Sequence, residues 1–189
     1  MIELKRETKE TNIRIKLDIN GTGKSIIDTG IGFFDHMLET LAKHSGIDLE
    51  VYCKGDIYVD YHHSIEDVGI VLGEALYKEI FPIRNVERFA NAVAILDEAG
   101  VECDLDLGGR AYLVYEIPID GAIKDIDMEL FEEFFKSLVF NAKIATHLVL
   151  KRGRNKHHII ESAFKSFAVA LRRALSYRKD EIPSTKGVL

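Results

Sequence analysis

The stretch VDYHHSIEDVG, residues 59–69, has a counterpart in NKHHIIESAFK, residues 155–165. Each stretch sets two adjacent histidines four and three residues ahead of a glutamate. When His62 is aligned with His157, the offset is 95 residues, about half of the 189-residue chain, and isoleucine, glutamate, alanine and leucine recur at matched positions. The repetition predicts that one αβ half-domain occurs twice in tandem.

Hydrophobic periodicity predicts the elements of the first half. Isoleucine and leucine alternate with polar residues in TNIRIKLDI, as in a half-buried strand, and an apolar stripe follows helical spacing in GFFDHMLETLAKH. The predicted elements are a strand at 11–19, a turn at 20–23, a strand at 24–29 that runs back, a helix at 32–44, a strand at 47–53, a turn at 54–56 followed by a short strand, and a helix from His62 to about Ile80.

The second half predicts the same plan. Its elements are strands near 88–97, 101–107 and 111–117, a helix at about 127–141, a strand at 144–150 and a helix from about 156 to 177. No linker rich in proline, glycine or serine separates the halves, so we predict one domain, with bounds 1–189, repeats at about 1–85 and 86–180, and a C-terminal tail at 181–189. The predicted fold class is α+β, with sheet packed beside sheet and helices on one face.

Composition argues against several classes of function. The net charge of −6 and the pI of about 5.7 disfavour a nucleic-acid binder, because phosphate neutralisation needs a basic surface. Hydrophobic residues make up 47% of the chain, which is too many for a disordered protein. Cys53 and Cys103 lie far apart and are expected to be buried free thiols. No membrane-spanning run and no secretory signal is found, so a cytoplasmic protein is expected.

The repeated His-His-x-x-Glu pattern offers ligands for a divalent cation. On a helix, a histidine and a glutamate four residues further on share a face, and imidazole nitrogen with carboxylate oxygen suits Mn, Fe, Co or Zn. Adjacent histidines diverge, so each pair should serve two ions, or one ion and an outer role. A dinuclear site or two separate sites is predicted, with His36 as a further candidate ligand. For a single pair, the alternative is a solvent-exposed or capping role at a helix start.

Cationic and hydroxyl side chains in the sequence are suitable partners for a phosphate. Arg88 precedes a strand, and Arg110 follows two glycines that allow close backbone approach. Lys165 lies one helical turn beyond Glu161. Three further candidates lie together in PSTKG: Ser184, Thr185 and Lys186. Taken singly, each of these residues is more often an ordinary surface residue.

Together these motifs resemble the imidazoleglycerol-phosphate dehydratase family over essentially the whole chain. The resemblance rests, in order, on RETKET, GFFDHML, KHSGIDL, GDIYVDYHHSIEDVG, RFANAVAILDEA, LGGRAYL, NKHHIIESAFKSFA and PSTKG. It implies a duplicated fold of the ribosomal-protein-S5-domain-2-like type and a monofunctional hydro-lyase of histidine biosynthesis. The implied reaction is the metal-dependent dehydration of D-erythro-imidazoleglycerol phosphate to imidazole acetol phosphate.

The resemblance also implies the cofactor and the site. It implies two Mn²⁺ ions per active site, and no organic cofactor is required. The implied metal ligands are His36, His62, His63, Glu66, His157, His158 and Glu161, and Glu133 is added as a ligand because a carboxylate can also bind Mn²⁺. The implied substrate and phosphate contacts are Glu10, His36, His62, Arg88, Arg110, His157, Lys165, Ser184, Thr185 and Lys186, with Glu10, Glu66 or Glu161 as the catalytic carboxylates. The family commonly has a histidine 24 residues before the second pair, where this chain has Glu133, the repeat counterpart of His36.

In the family that the chain resembles, the active site lies between subunits of a cubic 24-chain homo-oligomer, which divides each histidine pair between two sites. The substrate is a small phosphorylated imidazole with no carbonyl to stabilise a carbanion. The expected route therefore deprotonates the metal-bound ring to imidazolate, which expels the hydroxyl and gives a diazafulvene-like intermediate. Two alternatives stay open: a dinuclear phosphoester hydrolase, and an assembly that binds metal only for structure.

Overall fold

The computed structural model describes residues 1–81, 85–177, 179 and 184 of the chain. This part contains two four-stranded sheets, one short hairpin and four helices. The first half comprises β1 (Ile2–Glu7), β2 (Thr11–Asp18), β3 (Ser25–Asp28), α1 (Gly32–Ser45), β4 (Asp48–Gly55) and α2 (His62–Ile80). The second half comprises β5 (Phe89–Leu96), β6 (Ala99–Asp106), β7 (Tyr112–Glu116), β8 (Ala122–Ile123), β9 (Ile126–Asp127), α3 (Glu129–Ala142), β10 (Ala145–Arg152) and α4 (Lys156–Ala174).

The two halves have the same topology. The strands of the first sheet follow the order β1-β2-β4-β3, and those of the second follow the equivalent order β5-β6-β10-β7. In the first sheet β3 runs parallel to β4, in the second β7 runs parallel to β10, and the other neighbours are antiparallel. α1 and α3 are both 14 residues long, and α2 and α4 are both 19 residues long. The α+β class and the tandem duplication are therefore confirmed.

One hydrophobic core joins both halves. In β2, Ile13 and Ile15 are fully buried while Arg14 between them is exposed, because successive side chains of a strand point to opposite faces. The helices contribute an aromatic cluster in which Phe134 lies 5.3 Å, between ring centroids, from both Phe34 and Phe164. The cluster links α1 to α3 and α4, so the ends of these helices have fixed relative positions.

The halves meet through their helices, with α2 packed on α3 and α1 packed on α4. The crossing of α2 and α3 requires glycine, because a Cβ on Gly69 would lie 2.8 Å from the carbonyl oxygen of Phe134. A Cβ on Gly73 would lie 2.5 Å from the carbonyl oxygen of Leu138. The predicted packing of sheet beside sheet is wrong, since the contact between the halves is made by the helices that cover each sheet. This contact brings the beginning of α4 against α1.

The connection between β2 and β4 contains the returning strand predicted at 24–29. The strand predicted within 24–29 forms as β3 and runs back, opposite in direction to β2, as predicted. It pairs in parallel with β4, which lies between it and β2. The carboxylate of Asp48 favours this course, because it accepts hydrogen bonds from the backbone N–H groups of Thr22 at 2.7 Å and Lys24 at 2.9 Å. These bonds hold the loop beside the start of β4. The short strand predicted after residue 56 is a turn at 57–59.

Three strands were not predicted. β1 is an edge strand with only two apolar residues, Ile2 and Leu4, both partly buried, which leaves a weak apolar signal, and β8 and β9 are only two residues long. α4 ends at Ala174, short of the predicted 177. The predicted boundary between the repeats, near residue 85, lies next to residues 82–84, which are outside the described residues. The predicted tail at 181–189 also lies outside them, except for Ser184. The domain bounds therefore stay predictions.

Candidate metal and substrate site

The histidine pairs lie at the beginning of α2 and α4, where caps fix them. The carboxylate of Asp60 accepts a hydrogen bond from the backbone N–H of His62 at 2.8 Å. The side-chain oxygen of Asn155 accepts from the backbone N–H groups of His157 at 3.0 Å and His158 at 3.4 Å. Asparagine and aspartate are preferred here because their oxygens satisfy N–H groups that a helix start leaves unbonded. The first turn of each helix therefore carries its histidines in defined directions.

One group of three donors gathers where α1 meets α4. His36, His157 and Glu161, here called the α1–α4 cluster, each offer one ligand atom within 4.8 Å of the others. Oε2 of Glu161 lies 3.1 Å from Nε2 of His157 and 3.5 Å from Nε2 of His36. The two histidines are 48% and 45% exposed, whereas Glu161 is 12% exposed. A largely buried carboxylate thus lies against two imidazoles that face the surface.

Lys165 sets the charge of Glu161. Its Nζ lies 2.7 Å from Oε1 of Glu161. Burial raises the pKa of Glu161, but the hydrogen bond and charge of Lys165, together with the hydrogen bond of His157, outweigh burial and lower the pKa. The carboxylate is therefore ionised at neutral pH and suits a metal ligand better than an acid. Phe33 packs on His157 with ring centroids 4.9 Å apart, which restricts the imidazole further.

The equivalent residues of the other half are not gathered in the same way. Glu133 is the fifth residue of α3, as His36 is of α1, and its carboxylate lies 3.2 Å from Nζ of Lys136. Nε2 of His62 lies 3.6 Å from Oε2 of Glu66. Within the described part of the chain, the donor atoms of Glu133, His62 and Glu66 do not form a group as close as the α1–α4 cluster. Glu133 as a metal ligand stays a prediction.

The second histidine of each pair has a different carboxylate partner. Nδ1 of His63 lies 3.1 Å from Oδ2 of Asp56, and this hydrogen bond raises the pKa of His63. Nδ1 of His158 lies 2.8 Å from Oε2 of Glu98. The hydrogen bonds of His158 and of the Asn155 backbone lower the pKa of Glu98 to about 2. The two rings of each pair cross at 85° and 86°, so adjacent imidazoles face different groups.

Glu10 lies in the turn between β1 and β2 and faces the first histidine pair. Its Oε1 is 3.8 Å from Nε2 of His63, and its side chain is 53% exposed. Oγ1 of Thr8 accepts hydrogen bonds from the backbone N–H groups of Glu10 at 3.1 Å and Thr11 at 3.0 Å. Oγ1 of Thr11 in turn donates to Asp67 of α2. The turn is therefore anchored, while the carboxylate of Glu10 reaches from it towards solvent.

The phosphate candidates are spread over several elements. Lys165 lies beside the α1–α4 cluster. Arg88 donates from Nε to Oδ1 of Asp106 at 2.6 Å and from Nη2 to Oδ2 at 3.2 Å, which orients its guanidinium at the end of β6. Arg110 is exposed in the loop before β7. Of the tail candidates, Ser184 is partly buried, and Thr185 and Lys186 lie outside the described residues.

Four side chains that shape the site were not predicted from the sequence: Asp56, Asp60, Glu98 and Asn155. Asp60 and Asn155 do carry a sequence signal, because aspartate and asparagine just before a helix are typical caps. Asp56 and Glu98 carry no such sequence signal. Glu98 is 60 residues from His158, and only the folded chain brings the two together.

The fold and the site together define a duplicated αβ protein with a candidate site for divalent cations. The sequence model of the imidazoleglycerol-phosphate dehydratase family matches residues 29–171. Imidazoleglycerol-phosphate dehydratase from Nautilia profundicola is 75% identical, and that from Nitratiruptor is 60% identical, each over 100% of both chains. The chain therefore belongs to the imidazoleglycerol-phosphate dehydratase family, in its single-domain, monofunctional form, and is an enzyme of the hydro-lyase class.

Solved structures agree with this assignment. The crystal structure of imidazoleglycerol-phosphate dehydratase from Staphylococcus aureus is 35% identical, with a TM-score of 0.83 over 94% of this chain and 99% of that chain. The enzyme from Pyrococcus furiosus, in complex with (S)-C348, is 34% identical, with a TM-score of 0.86 over 98% of this chain and 100% of that chain. None of the helices in the described residues is long and apolar enough to cross a bilayer.

Proposed function

We propose that this chain dehydrates D-erythro-imidazoleglycerol phosphate to imidazole acetol phosphate in histidine biosynthesis. The observation that carries the proposal is the α1–α4 cluster, in a chain 75% identical over its full length to a relative named for this activity. Lys165 lies beside the cluster, with its Nζ 2.7 Å from Oε1 of Glu161, and a lysine ammonium is a suitable partner for the phosphate of such a substrate.

The α1–α4 cluster fits a divalent cation by its donor chemistry. Two imidazole nitrogens and an ionised carboxylate oxygen suit borderline ions, and we propose Mn²⁺, with two ions per active site. The proposed ligands are His36, His62, His63, Glu66, Glu133, His157, His158 and Glu161. Bound cations would supply Lewis acidity that eases loss of the substrate's ring N–H proton. Dehydration changes no overall oxidation state, so the proposal includes no organic cofactor.

The substrate dictates what the acid–base groups must do. Water leaves from a diol in which no carbonyl acidifies the departing C–H, so the imidazole ring has to supply the electrons. Loss of the ring N–H proton lets the ring expel the neighbouring hydroxyl, which takes up a proton as it leaves, and gives a diazafulvene-like intermediate. Removal of the C–H proton and return of a proton to the ring give an enol, which tautomerises to the ketone. The site therefore needs a carboxylate that can both accept and donate protons.

Glu10 is the carboxylate best suited to proton transfer. It is 53% exposed, lies in a turn and is 3.8 Å from an imidazole nitrogen of His63. Glu161 is held ionised by Lys165, and Glu66 lies 3.6 Å from Nε2 of His62. We therefore assign proton transfer to Glu10, and metal binding to Glu66 and Glu161.

The phosphate of the substrate is proposed to bind cationic and hydroxyl groups, some from a neighbouring chain. Arg88 suits this role because Asp106 orients its guanidinium through two hydrogen bonds, and an oriented guanidinium matches the geometry of a phosphate. Lys165 contributes charge next to the α1–α4 cluster. The remaining proposed contacts are Arg110, Ser184, Thr185 and Lys186.

We further propose a cytoplasmic homo-oligomer of 24 chains in which neighbouring chains complete each active site. The half-exposed imidazoles of the α1–α4 cluster support this, because the described residues of one chain do not enclose a substrate there. The outer face of the second sheet exposes large apolar side chains, which favours contact with protein. These side chains are Phe89, Val93, Ile95 and Tyr112, each 57% to 72% exposed.

The test incubates the purified protein with imidazoleglycerol phosphate and Mn²⁺ and measures both the keto product and inorganic phosphate. Keto product without phosphate release is expected. Phosphate release would identify a phosphoester hydrolase, and neither product would identify an assembly that binds metal only for structure; each result would overturn the proposal. His36→Ala should abolish keto product, whereas Asn20→Ala, at an exposed position in the turn after β2, should retain the wild-type rate.

A further inference from the structure

Two carboxylates outside the proposed ligand set orient the second histidine of each pair. Asp56 accepts a hydrogen bond from Nδ1 of His63, with Oδ1 at 3.2 Å and Oδ2 at 3.1 Å. Glu98 accepts one from Nδ1 of His158, with Oε2 at 2.8 Å. An ionised carboxylate only accepts hydrogen bonds, so both contacts place a proton on Nδ1. In a neutral imidazole, this leaves the lone pair on Nε2.

Glu98 forms a rigid bridge around its histidine. Its Oε1 also accepts hydrogen bonds from the backbone N–H groups of Asn155 at 2.8 Å and Arg154 at 3.3 Å. One side chain thus joins the β5–β6 turn, the residue before α4, and the ring of His158. Rotation of the ring would break a charge-assisted hydrogen bond, so the direction of Nε2 is defined.

The first half achieves the same result with a different residue. Glu98 is the last residue before β6, and Glu10 is the last residue before β2, which makes them repeat counterparts. Glu10 nevertheless faces Nε2 of His63, at 3.8 Å, and not Nδ1. The partner of Nδ1 is instead Asp56, which directly follows β4. In the second half, the residue that directly follows β10 is Gly153. In the first half, the carboxylate that binds Nδ1 is therefore Asp56 and not Glu10, the counterpart of Glu98. The second half has no carboxylate at the position of Asp56.

We infer that Asp56 and Glu98 are positioning residues, each of which fixes the Nδ1–H tautomer of its histidine. By taking this task in the first half, Asp56 leaves Glu10 available for the substrate. The inference rests on the proposed function, because a defined Nε2 lone pair matters where a cation or substrate meets it, and outer partners of ligand histidines act in this way. The backbone N–H of Asp56 also donates to the carbonyl oxygen of Glu10 at 3.0 Å, so one residue places both the ring and the turn.

Loss of either positioning residue should favour an unproductive tautomer. Nε2 of His63 lies 3.8 Å from Glu10, and Nε2 of His158 lies 3.9 Å from Asp97. Without a carboxylate on Nδ1, each ring can carry its proton on Nε2 and donate to that facing carboxylate. For His63, this removes both the Nε2 lone pair and the carboxylate assigned to proton transfer.

The test reads the tautomers in metal-free protein labelled with ¹⁵N-histidine, by long-range ¹H–¹⁵N correlation at a pH about two units above the ordinary histidine pKa of about 6.5. Wild type should show Nδ1–H at His63 and His158. Asp56→Asn, whose amide can donate as well as accept, should shift His63 towards Nε2–H and leave His158 unchanged, and Glu98→Gln should do the reverse. Glu10→Gln should change neither ring. A wild-type Nε2–H tautomer at either histidine, or no shift in the two variants, would overturn the inference.

Equilibrium dialysis with Mn²⁺ gives a second readout. Asp56→Asn and Glu98→Gln should each weaken binding about 10- to 100-fold, as loss of such partners does elsewhere, whereas Glu10→Gln should bind Mn²⁺ normally and lose turnover. Asp56→Glu retains a carboxylate and should restore the Nδ1–H tautomer, which separates loss of positioning from a folding defect. Tautomer shifts in a protein without dehydratase activity would support positioning and refute the proposed function. Dehydratase activity with unshifted tautomers would refute the inference alone.

Discussion

Asp67 should be a sensitive position for both stability and turnover. Its side chain is 9% exposed and accepts hydrogen bonds from Nη1 of Arg6 at 2.7 Å and from Oγ1 of Thr11 at 2.5 Å. Thr11 directly follows Glu10, so Asp67 ties α2 to the end of the turn that carries Glu10. The counterpart of Asp67 in the second half is Ser162, whose buried hydroxyl has no hydrogen-bond partner among the described residues. Ser162 therefore forms no equivalent of the Arg6–Asp67–Thr11 hydrogen-bond network among the described residues of the second half.

Asp67→Asn keeps the volume of the side chain and removes its charge. A hydrogen bond to a charged group contributes about 1.5–3 kcal/mol and a neutral one about 0.5–1.5 kcal/mol, so two bonds should lose about 2–3 kcal/mol together. The side chain of Arg6 is 34% exposed, and solvent screening reduces its share, which leaves about 2 kcal/mol. At about 2–4 °C per kcal/mol for a chain of this length, the metal-free protein should melt about 4–8 °C lower.

Thermal unfolding followed by circular dichroism measures this loss, and the rate of keto-product formation measures the effect on Glu10. Thr11→Val deletes one hydrogen bond to the charged carboxylate altogether and should lose about 1.5–3 kcal/mol, comparable with Asp67→Asn. Ser162→Ala, at the matched position of the other half, should stay within about 0.5 kcal/mol of wild type. The reasoning is refuted if Asp67→Asn melts within 1 °C of wild type, or if Ser162→Ala loses as much.

Three further changes test other parts of the molecule. Gly73→Ala places a Cβ 2.5 Å from a backbone carbonyl of α3 and should cost about 1–3 kcal/mol in urea unfolding, whereas Gly32→Ala, which has open space, should not be destabilised by overpacking. His157→Ala should lower the Mn²⁺ bound per chain, measured by elemental analysis after gel filtration, and the exposed His147→Ala should not. The pKa of Glu98 is depressed from 4.5 to about 2, so its ionised form stabilises the fold; this contribution is present above pH 4.5 and is lost as the pH falls towards 2. The difference in unfolding free energy between wild type and Glu98→Gln should therefore shrink over that interval, and a constant difference would contradict the assignment.

The parts of the fold that the sequence predicts are those with a local periodic signal. β2 and α1 were predicted because Ile13 and Ile15, and the apolar stripe that includes Phe34, recur at strand or helix spacing. The pairing of β3 with β4 was not predicted, because it depends on Asp48, which is more than 20 residues from the loop that it holds. The meeting of the halves through their helices likewise depends on close approach at Gly73, which no periodicity reveals.

The candidate site likewise has parts that the sequence predicts and parts that it does not. The contact of His157 with Glu161 was predictable, because residues four apart on a helix share a face. His36 joins them only through the packing of α1 on α4. Asp56 and Glu98 lie in turns, and their partners are set by the course of the folded chain. Physical reasoning from sequence therefore finds ligands on one helix more readily than the residues that orient them.

The dehydration rate of chelator-treated protein, with its metal content determined by elemental analysis, tests most directly whether the histidine–carboxylate clusters act through bound cations. We predict no keto product from metal-free protein and recovery of the wild-type rate when Mn²⁺ is restored, with no recovery in His157→Ala. Full-rate dehydration by protein shown to contain no metal would contradict the central claim.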